Sequence, residues 1–159
     1  MSSRLRPACQ EDASAIRALI RQAGINPLGL DWRRFLLAVD DNDRCIGCGQ
    51  LKPHAGGVLE LASIAVVPEQ RRKGIASEII QALIVRAERL GDPNKTAAPA
   101  LYLTCRAGLR TFYERFGFQV LAPGEMPPYF KAAYQAFQIL RRLRVAHEPL
   151  LVMRRTAGR

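Results

Sequence analysis

The sequence is poor in features that would place it in a membrane or divide it into parts. No run within its 159 residues approaches the roughly 20 apolar residues of a membrane-spanning helix. The N-terminal residues lack the apolar core of a signal peptide, so we expect a cytoplasmic protein without a membrane span. Because no repeat, linker or low-complexity tract interrupts the chain, we expect a single domain over residues 1–159.

Cysteine and histidine are scarce, with four and two residues respectively. Cys45 and Cys48 form a C-x-x-C pair, but no second pair follows, and His54 and His147 are isolated in the sequence. Positions three apart in a strand point to opposite faces, which disfavours a shared metal or redox role. We therefore expect ordinary small apolar side chains in a reducing compartment, and no metal site.

Acidic residues are fewer than basic ones: the sequence has 14 Asp and Glu but 24 Lys and Arg, which gives a net charge of +10. This imbalance suits an anionic ligand, nucleic acid or an acidic surface without choosing among them. Nucleic acid is disfavoured because no recognition motif or interleaving of aromatic and basic residues is present. The run "RRLR" at residues 141–144 indicates a solvated helix face, with an acidic substrate or partner as the alternative.

Hydrophobic periodicity indicates strands and helices that alternate through the centre of the chain. Strands are expected at "LRPA", "FLLAVD", "RCIGCGQL", "GGVLELASIAVV", "ALYLTC", "FQVL" and "LLVMRR". Helices are expected at "EDASAIRALIRQAG", at residues 74–90, at "LRTFYERFG" and in the basic segment after the prolines at 127 and 128, and "PNKTAAP" is expected to be a loop. This order predicts a mixed α/β sheet.

A cluster of three cations stands directly before Gly-Ile-Ala in the stretch "VVPEQRRKGIAS", residues 66–77. The first turn of a helix attracts anions through its unpaired N–H groups, and Gly74 lets a ligand approach the backbone. Arg71, Arg72 and Lys73 add charge-assisted donors. The stretch predicts a phosphate-binding turn, with a solvated basic turn as the alternative, and it matches neither the P-loop nor the dinucleotide motif.

The longer segment "SIAVVPEQRRKGIASEIIQALI" closely resembles the coenzyme A motif of the GCN5-related N-acetyltransferases, the GNAT family. The motif [QR]-x-x-G-x-[GA] is matched by Arg71, Gly74 and Ala76, after a strand that ends in "IAVVP". A second segment, "TFYERFGF", resembles the family's aromatic-Tyr-x-x-x-Gly-Phe helix end. The resemblance implies a GNAT-like acyl-CoA N-acyltransferase fold, in which helices flank a central, mostly antiparallel sheet.

The resemblance also implies a cosubstrate, which is acetyl-CoA, and a reaction that moves its acetyl group to a primary amine by direct attack in a ternary complex. Main-chain groups of Ile64, Ala65 and Val66 would pair with the pantetheine arm. The amides and side chains that would hold the pyrophosphate are those of Arg71, Arg72, Lys73, Gly74, Ile75, Ala76 and Ser77. No metal is implied.

Two catalytic roles follow from the same resemblance. Tyr113 falls on the tyrosine that donates a proton to the leaving thiolate, and Glu60 falls where several members carry the glutamate that deprotonates the amine. The alternatives are a core aromatic for Tyr113, and an outward-facing strand residue for Glu60 with water as the base. Arg106 stands where the family often has an asparagine, so that contact is not carried over. We interpret Ser77 as a hydroxyl at the start of the helix and not as a nucleophile, since neither histidine is evidently placed to activate it.

The acceptor of the acetyl group is left open by the sequence among a protein N-terminus, a lysine, and a small amine or amino acid. The segments "INPLGLDWRRF" and "APGEMPPYFKAA" hold few acids, which disfavours polyamines and aminoglycosides. A non-catalytic acyl-CoA sensor is the first alternative function, and a basic nucleic-acid-binding protein is the second. No sequence feature indicates an oligomeric state.

Overall fold

A computed structural model describes residues 3–90 and 99–156 of the chain. Its strands are β1 (Arg4–Pro7), β2 (Phe35–Val39), β3 (Cys45–His54), β4 (Val58–Val66), β5 (Leu101–Arg106), β6 (Gln119–Val120) and β7 (Leu150–Arg155). Its α-helices are α1 (Ala13–Gln22), α2 (Ile75–Arg89), α3 (Arg110–Glu114) and α4 (Pro128–Arg142). The predicted alternation of strands and helices is therefore present.

The seven strands hydrogen-bond in the order β1-β2-β3-β4-β5-β7-β6. The pairs β1–β2, β2–β3, β5–β7 and β6–β7 are antiparallel, whereas β4 and β5 are parallel. The parallel register joins Leu59 to Leu101 and Glu60 to Tyr102. The predicted mixed α/β fold, with a mostly antiparallel sheet and flanking helices, is confirmed.

None of the helices in the two described ranges combines the length and the apolar composition that crossing a membrane requires. By their internal contacts, residues form two compact units, Met1–Lys52 with Leu61–Arg89 and Pro53–Glu60 with Leu90–Arg159. The single domain over residues 1–159 and the cytoplasmic location stay predictions.

In the first unit, α1 and α2 cover opposite faces of β3. Cys48 packs against α1 in a buried cluster. The other members of this cluster are Ile16, Leu19, Ile20, Phe35, Leu37, Val39 and Ala65. Gly47 and Gly49 lie on the face of β3 that meets α2. A Cβ at Gly47 would lie 3.0 Å from Ile75 Cγ2, and a Cβ at Gly49 would lie 2.9 Å from Ile79 Cγ2. The two glycines therefore let α2 approach β3 more closely than side chains would allow.

In the second unit, α4 packs on one face of β5. Leu101, Leu103 and Cys105 are buried at alternate positions, as expected for a strand. Tyr102, which points to the opposite face, stacks on Phe130 of α4 with 5.4 Å between ring centroids. The apolar cluster on that face consists of Leu121, Met126, Phe130 and Val152, with Val58, Tyr102 and Tyr134 packed against it.

Several strand boundaries differ from the predictions. The strand predicted as "RCIGCGQL" continues to His54, because the chain turns only at Ala55–Gly57, where Gly56 and Gly57 have φ values of 77° and 74°. These left-handed glycines make the turn, so the prediction that they open the next strand was wrong. The strand predicted as "FQVL" is reduced to Gln119–Val120. The predicted loop "PNKTAAP" lies outside the described residues, except for Pro99.

Gly49→Ala is expected to lower the free energy of unfolding by about 1–3 kcal/mol, because the new Cβ overpacks the contact between β3 and α2. The Cβ would lie 2.5 Å from Ile64 Cδ1 and 2.9 Å from Ile79 Cγ2, and the Ile79 methyl group is carried by a fully buried, β-branched side chain. Urea denaturation measures the change.

The matched control is Gly124→Ala, since nothing lies within 4 Å of a Cβ at that position and its φ is not left-handed. The control is expected to change the unfolding free energy by less than about 0.5 kcal/mol. Equal stability of the two variants would contradict the close approach of α2 to β3.

Candidate functional site

A backbone bend interrupts β4 just before the residues predicted to pair with the pantetheine arm. Ser63 has a φ of 59°, which is uncommon for a residue with a side chain. Around the bend, buried and more exposed residues do not alternate as they do in a regular strand. Glu60 and Leu61 are buried in succession, and so are Ala65 and Val66. Bends of this kind re-aim main-chain groups, and they are frequent beside active sites.

The side chain of Gln50 anchors this bend. Its Nε2 donates to Ser63 Oγ at 2.9 Å and, at 3.4 Å, to the carbonyl of Gly29. Gln50 is almost fully buried, so these bonds are shielded from competing water. The unusual backbone at Ser63 is thus held by a buried polar contact from the neighbouring strand.

Between β4 and α2, the chain forms a turn with two left-handed residues. Arg72 has a φ of 61° and Gly74 a φ of 87°, while the φ of Lys73 between them is not positive. Alternation of this kind directs successive N–H groups toward a common point and forms an anion-binding concavity. A left-handed arginine costs roughly 1–3 kcal/mol, a strain typical of ligand-binding segments.

The helix that follows contributes its own free N–H groups. The first helical bond runs from the Glu78 amide to the Gly74 carbonyl at 3.0 Å, so Gly74 caps the N-terminus of α2. Nothing lies within 4 Å of the position that a Gly74 Cβ would take. The open space over Gly74 and the helix N-terminus is therefore accessible to an anion.

The predicted cofactor residues have different roles in this turn. Arg71 donates from Nε to the Val66 carbonyl at 3.1 Å, and it thereby ties the turn to the end of β4. Lys73 Nζ donates to Gln70 Oε1 at 3.0 Å, whereas the side chains of Ile75, Ala76 and Ser77 are buried or half-buried in the first turn of α2. Arg71, Arg72, Lys73 and Gly74 are exposed.

Glu60 lies in a buried contact that the sequence did not reveal. Its Oε2 is 2.6 Å from Nε2 of His54, and only 9% of the Glu60 side chain and 10% of the His54 side chain are exposed. His54, which is isolated along the sequence, thus has a partner in the fold, and the alternative that Glu60 faces outward was wrong. The turn at Ala55–Gly57 folds β3 back onto β4 and brings the two residues together.

Tyr113 lies in α3 and is buried, with 8% of the residue exposed. Its ring packs edge-on against Phe112 and Phe118, with centroids 5.2 and 6.2 Å away. Burial raises the pKa of the Tyr113 phenol well above its ordinary value, and Cys105 adds to the effect. The residue therefore combines core packing with a phenol that stays protonated near neutral pH.

The end of α3 is closed by Gly117, which has a φ of 83°. Its amide bonds to the Glu114 carbonyl at 2.9 Å, and the Phe118 amide bonds to the Tyr113 carbonyl at 3.4 Å. This pattern is a Schellman motif, and it explains why the sequence has Gly-Phe four and five residues after the tyrosine.

The C-x-x-C pair does not form a metal site in the described residues. Burial raises the pKa of Cys45 to about 11 and that of Cys48 further, so both thiols stay protonated. Cys48 packs in the α1 cluster, and no group of three potential ligand side chains occurs in residues 3–90 and 99–156.

Solved structures resemble the chain over nearly its whole length. N-acetylglutamate synthase from Neisseria gonorrhoeae, complexed with coenzyme A and N-acetyl-glutamate, gives a TM-score of 0.74 at 24% identity, over 100% of this chain and 36% of that chain. A Mycobacterium tuberculosis protein in complex with CoA gives 0.75 at 17% identity, over 98% of this chain and 99% of that one. The chain thus spans about a third of the length of the synthase.

A third similar structure is the ribosomal-protein-S18-alanine N-acetyltransferase from Escherichia coli, with a TM-score of 0.68 at 17% identity over 99% of this chain and 97% of that one. At these identities the likeness shows the fold. No curated protein matches the sequence. The profile described as "Acetyltransferase (GNAT) domain" matches residues 31–120, which are 90 of the 159 residues. The chain belongs to the GNAT family of acetyltransferases.

Proposed function

We propose that the protein is an acetyl-CoA-dependent N-acetyltransferase, which moves the acetyl group to a primary amine by direct attack in a ternary complex. The observation that carries the proposal is the turn at Arg72–Gly74, whose left-handed residues lead into an open helix N-terminus inside the segment that matches the family profile. Amides arranged in this way suit the pyrophosphate of coenzyme A.

The cofactor is held by main-chain groups in this proposal. The amides of residues 71–77 bind the pyrophosphate, and the side chains of Arg72 and Lys73 add charge. Arg71 acts through its bond to the Val66 carbonyl, which fixes the turn to the strand. After the bend at Ser63, main-chain groups of Ile64, Ala65 and Val66 pair with the pantetheine arm as an added strand would.

The chemistry requires one proton to leave the amine and one to reach the thiolate. The neutral amine attacks the thioester carbonyl, a tetrahedral intermediate forms, and the C–S bond breaks. Tyr113, whose phenol is protonated near neutral pH, donates its proton to the departing thiolate. Glu60 belongs to the proton-accepting end of the reaction.

The acceptor class that we propose is the α-amine of an amino acid or of a peptide N-terminus. Two of the similar structures are named for acetylation of an amino-acid nitrogen, as N-acetylglutamate synthase and as ribosomal-protein-S18-alanine N-acetyltransferase. The basic net charge of +10 disfavours a polycationic acceptor.

The proposal is tested by acetyl-CoA titration calorimetry together with an amine panel, in which coenzyme A release is followed by chromatography. The panel contains L-glutamate, a peptide with N-terminal alanine, an N-acetylated peptide with one internal lysine, and spermidine. Chromatography is preferred to a thiol reagent, because Cys9 is an exposed free thiol. We expect acetyl-CoA binding, and release with the first or the second amine.

The other outcomes separate the alternatives. Binding without coenzyme A release from any amine would identify an acyl-CoA sensor. Release with the lysine peptide or with spermidine alone would reject the α-amine class but keep the transferase. Absence of acetyl-CoA binding would overturn the proposal, and a steep dependence of nucleic-acid affinity on salt would then favour the nucleic-acid binder.

Gly74→Glu is expected to weaken acetyl-CoA binding by roughly ten- to hundredfold, because a carboxylate would occupy the space of the pyrophosphate. The matched control is Gly24→Glu. Gly24 also has a positive φ, of 67°, and no atom lies within 4 Å of its Cβ position, so backbone strain and charge change are alike. Calorimetry of both folded variants measures the affinity. Equal affinities would contradict the anion-binding turn.

Tyr113→Phe is expected to lower turnover by roughly 10²–10⁴-fold, the usual contribution of a positioned acid. The substitution keeps the ring that packs on Phe112 and Phe118 and deletes only the hydroxyl, so acetyl-CoA affinity and thermal stability should change little. Tyr134→Phe, a half-buried tyrosine of α4, is the control. Steady-state turnover of Tyr113→Phe within a few-fold of the unmodified protein would return Tyr113 to a packing role.

A further inference from the structure

The end of the hairpin formed by β3 and β4 holds a buried pair of ionisable side chains. His54 is the last residue of β3, and Glu60 is the third residue of β4. The separation of 2.6 Å between Nε2 and Oε2 is the length of a strong, charge-assisted hydrogen bond. A buried carboxylate requires such a donor, and the imidazole supplies it.

Aromatic rings from the start of α4 enclose the imidazole. Tyr129 stacks on His54 with 3.8 Å between ring centroids, and Phe130 meets it edge-on at 5.7 Å. With one face covered and one nitrogen bonded, the orientation of the ring is fixed. Tyr129 itself is 44% exposed, so the cluster reaches the protein surface.

The second ring nitrogen of His54, Nδ1, has no hydrogen-bond partner in the part of the chain that the structure describes. In residues 3–90 and 99–156, the one fully buried side-chain polar atom without a hydrogen-bond partner is Oε1 of Gln50, so Nδ1 of His54 is not fully buried. The imidazole therefore has one nitrogen held by Glu60 and another that no described residue occupies.

This arrangement determines which nitrogen accepts a proton. A carboxylate at Nε2 accepts the Nε2–H bond, and the neutral ring then carries its lone pair on Nδ1. A carboxylate that orients a histidine and stabilises the imidazolium is a recurring device for proton abstraction. Among the described residues, Tyr129 of α4 stacks on His54 and Tyr102 of β5 lies opposite Glu60, and neither is a cation.

We propose that His54 is the group that accepts the proton of the attacking amine, with Glu60 as its positioning residue. This inference rests on the proposed acetyl transfer. As the bond from nitrogen to the thioester carbon forms, the N–H proton passes to Nδ1, and the Nε2–H bond to Glu60 stabilises the imidazolium. The C–S bond then breaks, the thiolate takes the phenolic proton of Tyr113, and the proton of the imidazolium returns through solvent to the Tyr113 phenolate.

The first test needs no substrate. Because the sequence has only two histidines, nitrogen-15 NMR of the labelled protein shows two imidazoles, and His147→Gln assigns them. We expect the neutral His54 ring to carry its proton on Nε2. A ring protonated on Nδ1 would overturn the proposal, because the nitrogen that Glu60 does not hold would then have no lone pair to offer.

The second test is kinetic and uses acetyl-CoA with L-glutamate or the alanine peptide, whichever the unmodified protein acetylates. His54→Gln should lower kcat by roughly 10²–10⁴-fold with little change in the KM for acetyl-CoA. His54→Ala should regain part of its turnover when imidazole is added, which a purely structural role would not produce. The control is His147→Gln, the exposed second histidine, and it should keep full activity.

The coupling of the pair is measured by adding Glu60→Gln. Residues that act as a unit are not additive, so the double variant should be hardly slower than His54→Gln alone. Additive losses, or unchanged turnover of folded His54→Gln, would overturn the proposal while leaving the transferase intact. An unmodified protein that acetylates no amine would instead overturn the proposed function.

Discussion

The close approach of α2 to β3 is the contact on which the arrangement of the first unit depends. Gly47 and Gly49 leave no side chain between the strand and Ile75, Ile79 and Leu83 of the helix. The helix begins at Ile75, where its side chain meets β3, so this packing also fixes where the helix N-terminus lies. The strained backbone at Arg72 persists because both flanking elements are held by buried contacts.

Local patterns were sufficient to predict most of the fold. The helical spacing of Ile75, Ile79 and Leu83 predicted α2 to within one residue at each end, since its apolar face is buried as the periodicity requires. The paired glycines at 56 and 57 were assigned to the wrong element, because a Gly-Gly pair suits either a strand start or a turn. The left-handed φ values that decide the matter depend on how β3 and β4 pair, which no local pattern contains.

One part of the candidate site could be predicted from local patterns, and the other part could not. The proposed anion-binding turn is a contiguous stretch, so its charge, its glycine and the helix after it are visible together in the sequence. The contact between His54 and Glu60 depends on a turn of the chain and on rings supplied by α4, some seventy residues further on. A histidine that looks isolated along the sequence acquires its partner only through the tertiary fold. The one available signal was that His54 and Glu60 flank a short Gly-rich segment.

Burial disfavours the charged form of both groups that are proposed to handle protons. At Tyr113, apolar surroundings disfavour the phenolate, so the phenol keeps its proton near neutral pH. At Glu60, burial without a partner would disfavour the carboxylate in the same way. The proposed bond from the His54 N–H to the carboxylate offsets that penalty. The proposed donor and acceptor therefore differ in their contacts, because Glu60 bonds to a neighbouring imidazole whereas Tyr113 packs against phenyl rings.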